Sequence, residues 1–276
     1  MLKPEHHSPG LPAADGSLSI RVLTWNVHAG VGPDGRYDLP RIVALVRRHR
    51  PDIVALQELD SRGRGDVSPF DYLAQALGSH AAEAKTIVAP DGYYGHVLIS
   101  RWPMTETAIH DLSVSKREPR RAIETTVLTP AGPLHLASVH LGLGFRERRQ
   151  QAAMLSAIAG TARGTTVMLG DFNDWFIYGG VRRALATVLP GRTKLRSFPA
   201  RYPLFMLDRI YCRPRQALLQ CFTDPLAKRV SDHLPVIADI RLEAAVPPGP
   251  QPMSLPLMLE EEAADQTQPA ISGLMR

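Results

Sequence analysis

Between residues 20 and 242 the chain alternates short apolar runs with stretches whose apolar residues recur every three to four positions. A short apolar run bounded by turn formers reads as a strand, and the three-to-four spacing as one face of a helix. Residues 20–25, 53–56, 94–100, 122–129, 133–139, 165–169, 207–211 and 236–242 are therefore predicted strands. Leu39, Ile42, Val43 and Val46 predict a helix that Asp38 can cap, that accommodates Pro40 in its first turn and that Pro51 stops. Residues 70–77 and 145–162 are further helices, the second with Arg and Gln on one side and Ala, Met, Leu and Ile on the other. Thr129-Pro-Ala-Gly-Pro133 carries turn chemistry and joins two strands as a hairpin. Hairpins mixed with strand–helix–strand units predict two mixed sheets packed face to face with helices outside, rather than one parallel sheet.

Outside this region the pattern fails. Residues 1–18 are rich in Pro, Gly and Ser and read as a flexible arm, and residues 243–276, with a run of prolines and an acidic cluster, read as a disordered tail. That leaves 19–242 as the expected globular domain. It holds 30 basic and 20 acidic residues, a charge near +10 against +5 for the whole chain, so it should attract polyanions. Every apolar run is interrupted well short of the roughly 18–20 residues a membrane span needs. The N-terminus carries no apolar stretch of the secretory kind, and only Cys212 and Cys221 are present, which leads to the expectation of a cytoplasmic protein without a disulfide framework.

Candidate chemistry lies where strands end, because a polar group there is costly to bury unpaired. The predicted strands run into Asn26, Glu58, His140 and Asp171-Phe-Asn173; Asp208 opens another strand, and Ser231-Asp232-His233 precedes the last. The set is rich in oxygen and free of sulfur, and suits a hard divalent cation such as Mg²⁺ or Mn²⁺. His135 and His140 are five apart on one strand, face opposite sides and should not share a metal. His49, His80, His96, His110 and His135 read as surface or packing residues, and Trp25 as core. No Walker loop, Gly-x-Ser-x-Gly elbow, HExxH or Cys-x-x-Cys is present, which removes the commonest competing enzyme classes.

The ordered motifs TWNVHAG, PDIVALQELD, ASVHLG, LGDFND, LDRIY and SDHLPV resemble those of the endonuclease/exonuclease/phosphatase superfamily, over about residues 21–242. Small bacterial members of unassigned substrate look most similar. The resemblance implies the four-layered α/β/β/α sandwich of the DNase I-like fold. It also implies roles: Asn26, Glu58 and Asp232 at a metal, Glu58 as principal ligand; Asp171 positioning or deprotonating the attacking water; Asn173 holding phosphate or water. Asp208 and His233 would form an acid–imidazole pair that donates to a phosphoryl oxygen, and His140 would be a further catalytic group with Glu118 as its partner. His28 departs from the Asp that abasic-site endonucleases often carry two residues after the Asn, which leaves the number of metals open.

The expected function is metal-dependent hydrolysis of a phosphoester, most readily a phosphodiester, by in-line attack of water. The substrate is a nucleic acid, a phospholipid or a phosphorylated small molecule, acted on by a monomer. Arg120, Arg121, Arg146 and Trp175 are candidate substrate contacts, with Phe176 and Tyr178 nearby. The alternative is a binding or scaffold protein on a catalytically retired copy of the same fold.

Overall fold

The computed structural model describes residues 12–65, 67–175 and 179–243. Most of the expected arm and tail, with Phe176 and Tyr178, lies outside these residues. The described residues all belong to one compact unit. Of the arm's described part, Asp15 pairs with Arg241 at 2.9 Å.

The described strands are β1 (Leu18–Asn26), β2 (Ile53–Asp60), β3 (His80–Ala89), β4 (Gly92–Ser100), β5 (Met104–Asp111), β6 (Arg121–Thr129), β7 (Gly132–His140), β8 (Thr166–Asp171), β9 (Gly191–Arg192), β10 (Asp208–Arg213), β11 (Leu218–Thr223) and β12 (Val236–Leu242). They form two six-stranded sheets, ordered β11-β12-β1-β2-β4-β3 and β5-β6-β7-β8-β10-β9. Each sheet has one parallel pair at its centre, β1 with β2 and β7 with β8, while the remaining pairs are antiparallel. Helices α1 (Leu39–His49) and α2 (Pro69–Leu77) cover the outside of the first sheet; α3 (Phe145–Thr161) and α4 (Gly180–Leu185) cover the second. The result is the expected α/β/β/α sandwich. Among the described residues no helix is long and apolar enough to cross a membrane.

Local chemistry explains the elements that the pattern predicted. Asp38 caps α1 by accepting from Arg41 N at 3.0 Å, and Ser68 caps α2 by accepting from Phe70 N at 3.2 Å. Four strands escaped the pattern: β3, β5, β9 and β11. Each lies at a sheet edge or beside one, where little of a strand's surface is buried. β3, β5 and β11 mix Ala, Thr, Glu, Lys and Gln among their apolar residues and so lack the alternation, and β9 is only the two residues Gly191–Arg192.

Pleating decides what enters the gap between the sheets. Ile20 and Val22 of β1, Leu134 and Leu136 of β7, Val167 and Leu169 of β8, and Ile210 and Cys212 of β10 all join one buried cluster there. Residues two apart share a face, so those rows continue, by way of Thr24 on β1 and Ser138 on β7, to Asn26, His140, Asp171 and Asp208. The rows that close the core therefore deliver these four side chains to the same rim.

His96, on the inward face of β4 with Leu98, is fully buried, and its Nε2 has no hydrogen-bond partner among the described residues. Burial pushes its pKa down to about 4, helped by Arg120 and only partly offset by the Ser138 backbone. An unfolded histidine titrates near 6.5, so the unfolded chain binds the extra proton first. Stability from this group is complete above pH ~6.5 and falls as pH drops from ~6.5 towards ~4, by up to about 3 kcal/mol. Denaturant titrations across that range are expected to show this acid-side loss in the wild type and a shallower one in His96→Gln; identical slopes would contradict it.

Candidate active site

The rim gathers the ends of β1, β2, β7 and β8, the start of β10 and the loop before β12. In the parallel register His140 stands directly beside Asp171, and in the antiparallel register Asp208 does so from the other side. Gly170 permits the first approach. Its φ is +153°, and a β-carbon there would lie 2.0 Å from the Val139 carbonyl oxygen.

Glu58 reaches the rim by a different device. Strand parity places Gln57 with Ile53 and Ala55 on the inward face, and Glu58 with Val54 and Leu56 towards the helices. The register of β2 against β4 shifts between Leu56 and Leu59, and Glu58 has φ +59°, so a bulge re-aims its carboxylate. His28, Ala29 and Asn173 also have positive φ, at 47°, 54° and 48°. Left-handed backbone thus occurs at the rim, in Glu58, His28 and Asn173, as it does elsewhere in Arg50, Glu106 and Lys116.

The side chains then meet. Asn26 Nδ2 donates to Glu58 Oε1 at 2.8 Å and to Asp171 Oδ2 at 3.0 Å, bridging the two sheets, while Asn26 Oδ1 accepts from His28 N at 3.1 Å. His140 Nε2 lies 3.7 Å from Glu58 Oε1 and 3.8 Å from Asp171 Oδ2. His233 Nδ1 bonds Asp208 Oδ2 at 2.8 Å. Asp171 Oδ1 accepts from Asn173 N, and Asn173 Nδ2 donates to the Leu141 carbonyl, both at 2.9 Å. Ser231 ties the last loop down: its hydroxyl donates to the Asn26 carbonyl at 2.8 Å and accepts from His233 N at 3.1 Å. Trp25 is core, as expected, and its indole N–H donates to the His233 carbonyl at 2.9 Å.

Charges here are set by burial working against neighbours. Burial alone would raise Glu58, but His28, His140, His233 and the bond from Asn26 outweigh it and bring the carboxyl to about 2. Asp171, buried beside Asp208, is raised, with His233 and Asn26 opposing. Burial disfavours a charged His233, yet Asp208, Asp171 and Asp232 overcome it and lift the imidazole to about 10, so it is protonated at neutral pH. His140 goes the other way, held well below its ordinary value by burial and by Arg120.

Arg120 is the neighbour that the motifs did not reveal. Its Nη1 bonds Glu118 Oε1 at 2.8 Å and approaches His140 Nδ1 at 3.4 Å, so a guanidinium stands where Glu118 was expected. Because Arg can only donate, Nδ1 of His140 must accept, and the ring hydrogen sits on Nε2, facing the carboxylates. Tyr94, also missed, is largely buried near Arg120 and Glu58; burial and Glu58 raise its pKa. It stands beside Tyr93 and Gly95, ahead of the apolar run 97–99 of β4 and in none of the motifs, which gave it no chemical signal.

The remaining expected residues fall further out. Asp232 faces His28 rather than Glu58: His28 Nδ1 is 3.7 Å from both Asp232 Oδ1 and Glu58 Oε2. Trp175 packs edge-on against Phe198 and Phe205, at 5.5 and 5.1 Å, and Phe198 lies 4.7 Å from the His233 ring, so the indole braces the loop beside His233. Arg120 is buried, Arg121 sits opposite Asp111 across β5 and β6, and Arg146 is exposed on the first turn of α3. His135 bonds Glu124 at 2.7 Å on the far face from His140.

Among the described residues two overlapping groups have their ligand atoms within 4.8 Å of one another, Glu58–His140–Asp171 and Asp171–Asp208–His233, with Asp171 common to both. This donor set fits a hard cation. Glu58 is ionised over almost all pH values and its carboxylate is partly open to solvent, while Asp208 Oδ1 is buried without a hydrogen bond. Asn26 presents N–H to the carboxylates, so ligation through its oxygen requires a half-turn of the amide and loss of the His28 N–H bond.

The sequence profile of the Endonuclease/Exonuclease/phosphatase family matches residues 23–233. The chain is 32% identical over 256 residues to the uncharacterized protein YbhP of Escherichia coli K12, spanning 84% of this chain and all of that protein. Its fold is shared with an endonuclease/exonuclease/phosphatase from Beutenbergia cavernae, with TM-score 0.65, 22% identity, and coverage of 81% of this chain and 72% of that one. It is shared also with the 3′ phosphatase NExo from Neisseria, solved with a product DNA hairpin, with TM-score 0.62, 22% identity, and coverage of 80% and 99%.

Ser231→Ala leaves the Asn26 carbonyl and the His233 N–H buried without this partner. A loss of about 1–3 kcal/mol in urea unfolding is expected; a change below about 0.5 kcal/mol, the level of an ordinary surface substitution, would show that the hydroxyl does not hold the loop.

Proposed function

Because the chain belongs to the endonuclease/exonuclease/phosphatase family, whose members act on phosphoesters, we propose that it is a divalent-metal-dependent phosphodiesterase. The reading rests on one observation: Asn26, Glu58, His140, Asp171, Asp208 and His233 converge on one rim, with Asp171 in both clusters.

His233 carries the positive charge. With Nδ1 bonded to Asp208, its Nε2–H donates to a non-bridging phosphoryl oxygen as negative charge builds there. His140 supplies a second, neutral donor through Nε2–H. Asp171 orients the attacking water and accepts its proton, a task that its raised pKa suits. Asn173 has its amide nitrogen committed to Leu141, which leaves the carbonyl oxygen to accept from that water. Glu58 would hold Mg²⁺ or Mn²⁺, joined by Asn26 once its amide is turned, and the ion would polarise a phosphoryl oxygen and stabilise the leaving oxygen. The catalytic unit is residues 19–242, working as a monomer on nucleic acid or a phospholipid head group. Its free thiols, Cys212 and Cys221, suit a reducing, cytoplasmic setting.

Hydrolysis of bis-p-nitrophenyl phosphate beside p-nitrophenyl phosphate tests the proposal. Cleavage of the diester is expected with Mg²⁺ or Mn²⁺ and not with EDTA, and Asp171→Asn and His233→Ala should each lower turnover by about 10²-fold or more while remaining folded. Near-full activity in both variants would sink the assignment. No cleavage of either compound by the wild type would favour the scaffold reading.

A further inference from the structure

A helix laid on a sheet buries an apolar stripe, and α3 does so only in its second half, through Ala152, Leu155 and Ala159. Its first turns bury Glu147, Arg148 and Gln151 instead, at 5, 3 and 0% exposure. Arg148 and Gln151, read in the sequence as part of the polar side, therefore turn inward. Among the described residues Arg148 forms no ion pair; Asp174, Glu147 and Asp171 offset its burial from beyond that distance. A guanidinium buried in this way costs stability, so packing alone does not account for it.

The three side chains close on one short segment, residues 141–144, which follows His140. Arg148 Nη1 donates to the Gly142 carbonyl at 3.3 Å and to the Leu143 carbonyl. Gln151 Oε1 accepts from Gly142 N at 2.9 Å, its Nε2 donates to the Leu112 carbonyl at 3.1 Å, and Glu147 Oε2 accepts from Gly144 N at 3.0 Å. A β-carbon on Gly142 would lie 1.9 Å from the Glu147 carboxylate, so only glycine lets the segment lie this close to the helix.

On its other side the same segment meets the rim. Leu141 N donates to the Asp171 carbonyl and the Leu141 carbonyl accepts from Asn173 Nδ2, both at 2.9 Å. Asn173 has a left-handed backbone, φ +48°, and among the described residues its side-chain amide has that one hydrogen bond to set its direction. Arg148 and Asn173 thus hold neighbouring carbonyls, Gly142 and Leu143 from the helix side and Leu141 from the rim side.

We propose that Arg148 is a positioning residue: with Glu147 and Gln151 it fixes residues 141–144 so that Asn173 presents its carbonyl oxygen to the attacking water. The proposal rests on the phosphodiesterase reading of the rim and adds to it a group that stands behind the rim rather than in it.

The chain has two asparagines, Asn26 and Asn173, so selective ¹⁵N-asparagine labelling reports on the rim through two side-chain amide pairs. In EDTA, the Asn173 amide protons of Arg148→Gln are expected to exchange with solvent about tenfold or more faster than in the wild type, with the Asn26 pair unmoved. In hydrolysis of bis-p-nitrophenyl phosphate with Mn²⁺, the same variant should lose about tenfold or more in kcat with KM within about twofold, as a misplaced water contact requires. Arg148→Lys, which still donates to a carbonyl, should return both readouts most of the way to the wild type. An unaltered Asn173 pair, equal disturbance of both pairs, an unchanged kcat, or no recovery in Arg148→Lys would overturn the proposal. Should Arg148→Gln not fold, Gln151→Leu removes the other side of the clamp and is judged by the same amide and kcat readouts. Absent hydrolysis by the wild type counts against the phosphodiesterase reading alone, because the asparagine resonances still show whether Arg148 holds Asn173.

Discussion

One side-chain amide joins the two halves of the molecule where its chemistry lies. Asn26 projects from the first sheet and donates both to Glu58 of that sheet and to Asp171 of the second. Two carboxylates brought this close repel one another, and burial makes the repulsion stronger. A bridging donor, the nearby histidines and a cation at the rim are the available ways to offset it. The geometry of the site follows from that constraint: Ser231 anchors the backbone of Asn26, Gly170 lets β8 close on β7, and the Glu58 bulge turns the second carboxylate inward.

The two histidines illustrate how environment divides labour between like residues. Both are nearly buried, which favours the neutral ring. His233 is surrounded by Asp208, Asp171 and Asp232 and becomes a cation; His140 has Arg120 at its Nδ1 and stays neutral. Both therefore present an N–H towards the rim, one charged and one not. A carboxylate in the position of Arg120 would erase that difference.

Much of this was legible in the sequence because the same periodicity that closes the core also points its polar ends. Once β1, β7, β8 and β10 are read as strands, parity alone sends Asn26, His140, Asp171 and Asp208 to one face. Glu58 is different: parity aims it at the helices, and the bulge that reverses it has no apolar signature, so only its motif identified it. Arg120 was legible as a cation but not as the neighbour of His140, since strand order and register decide which residue of the KREPRRA segment arrives there. The edge strands β3, β5 and β11 were missed because half-exposed strands carry weak alternation.

The account depends most on Glu58 and its neighbours forming a binding site for a divalent cation. Titration with Mn²⁺, followed by the loss of the free-ion electron paramagnetic resonance signal, measures this in wild type and in Glu58→Gln. Saturable binding in the wild type, weakened by about tenfold or more in the variant, is the predicted result, in line with the loss of a hard, charged ligand. No saturable binding, or equal affinity in the two proteins, would contradict it.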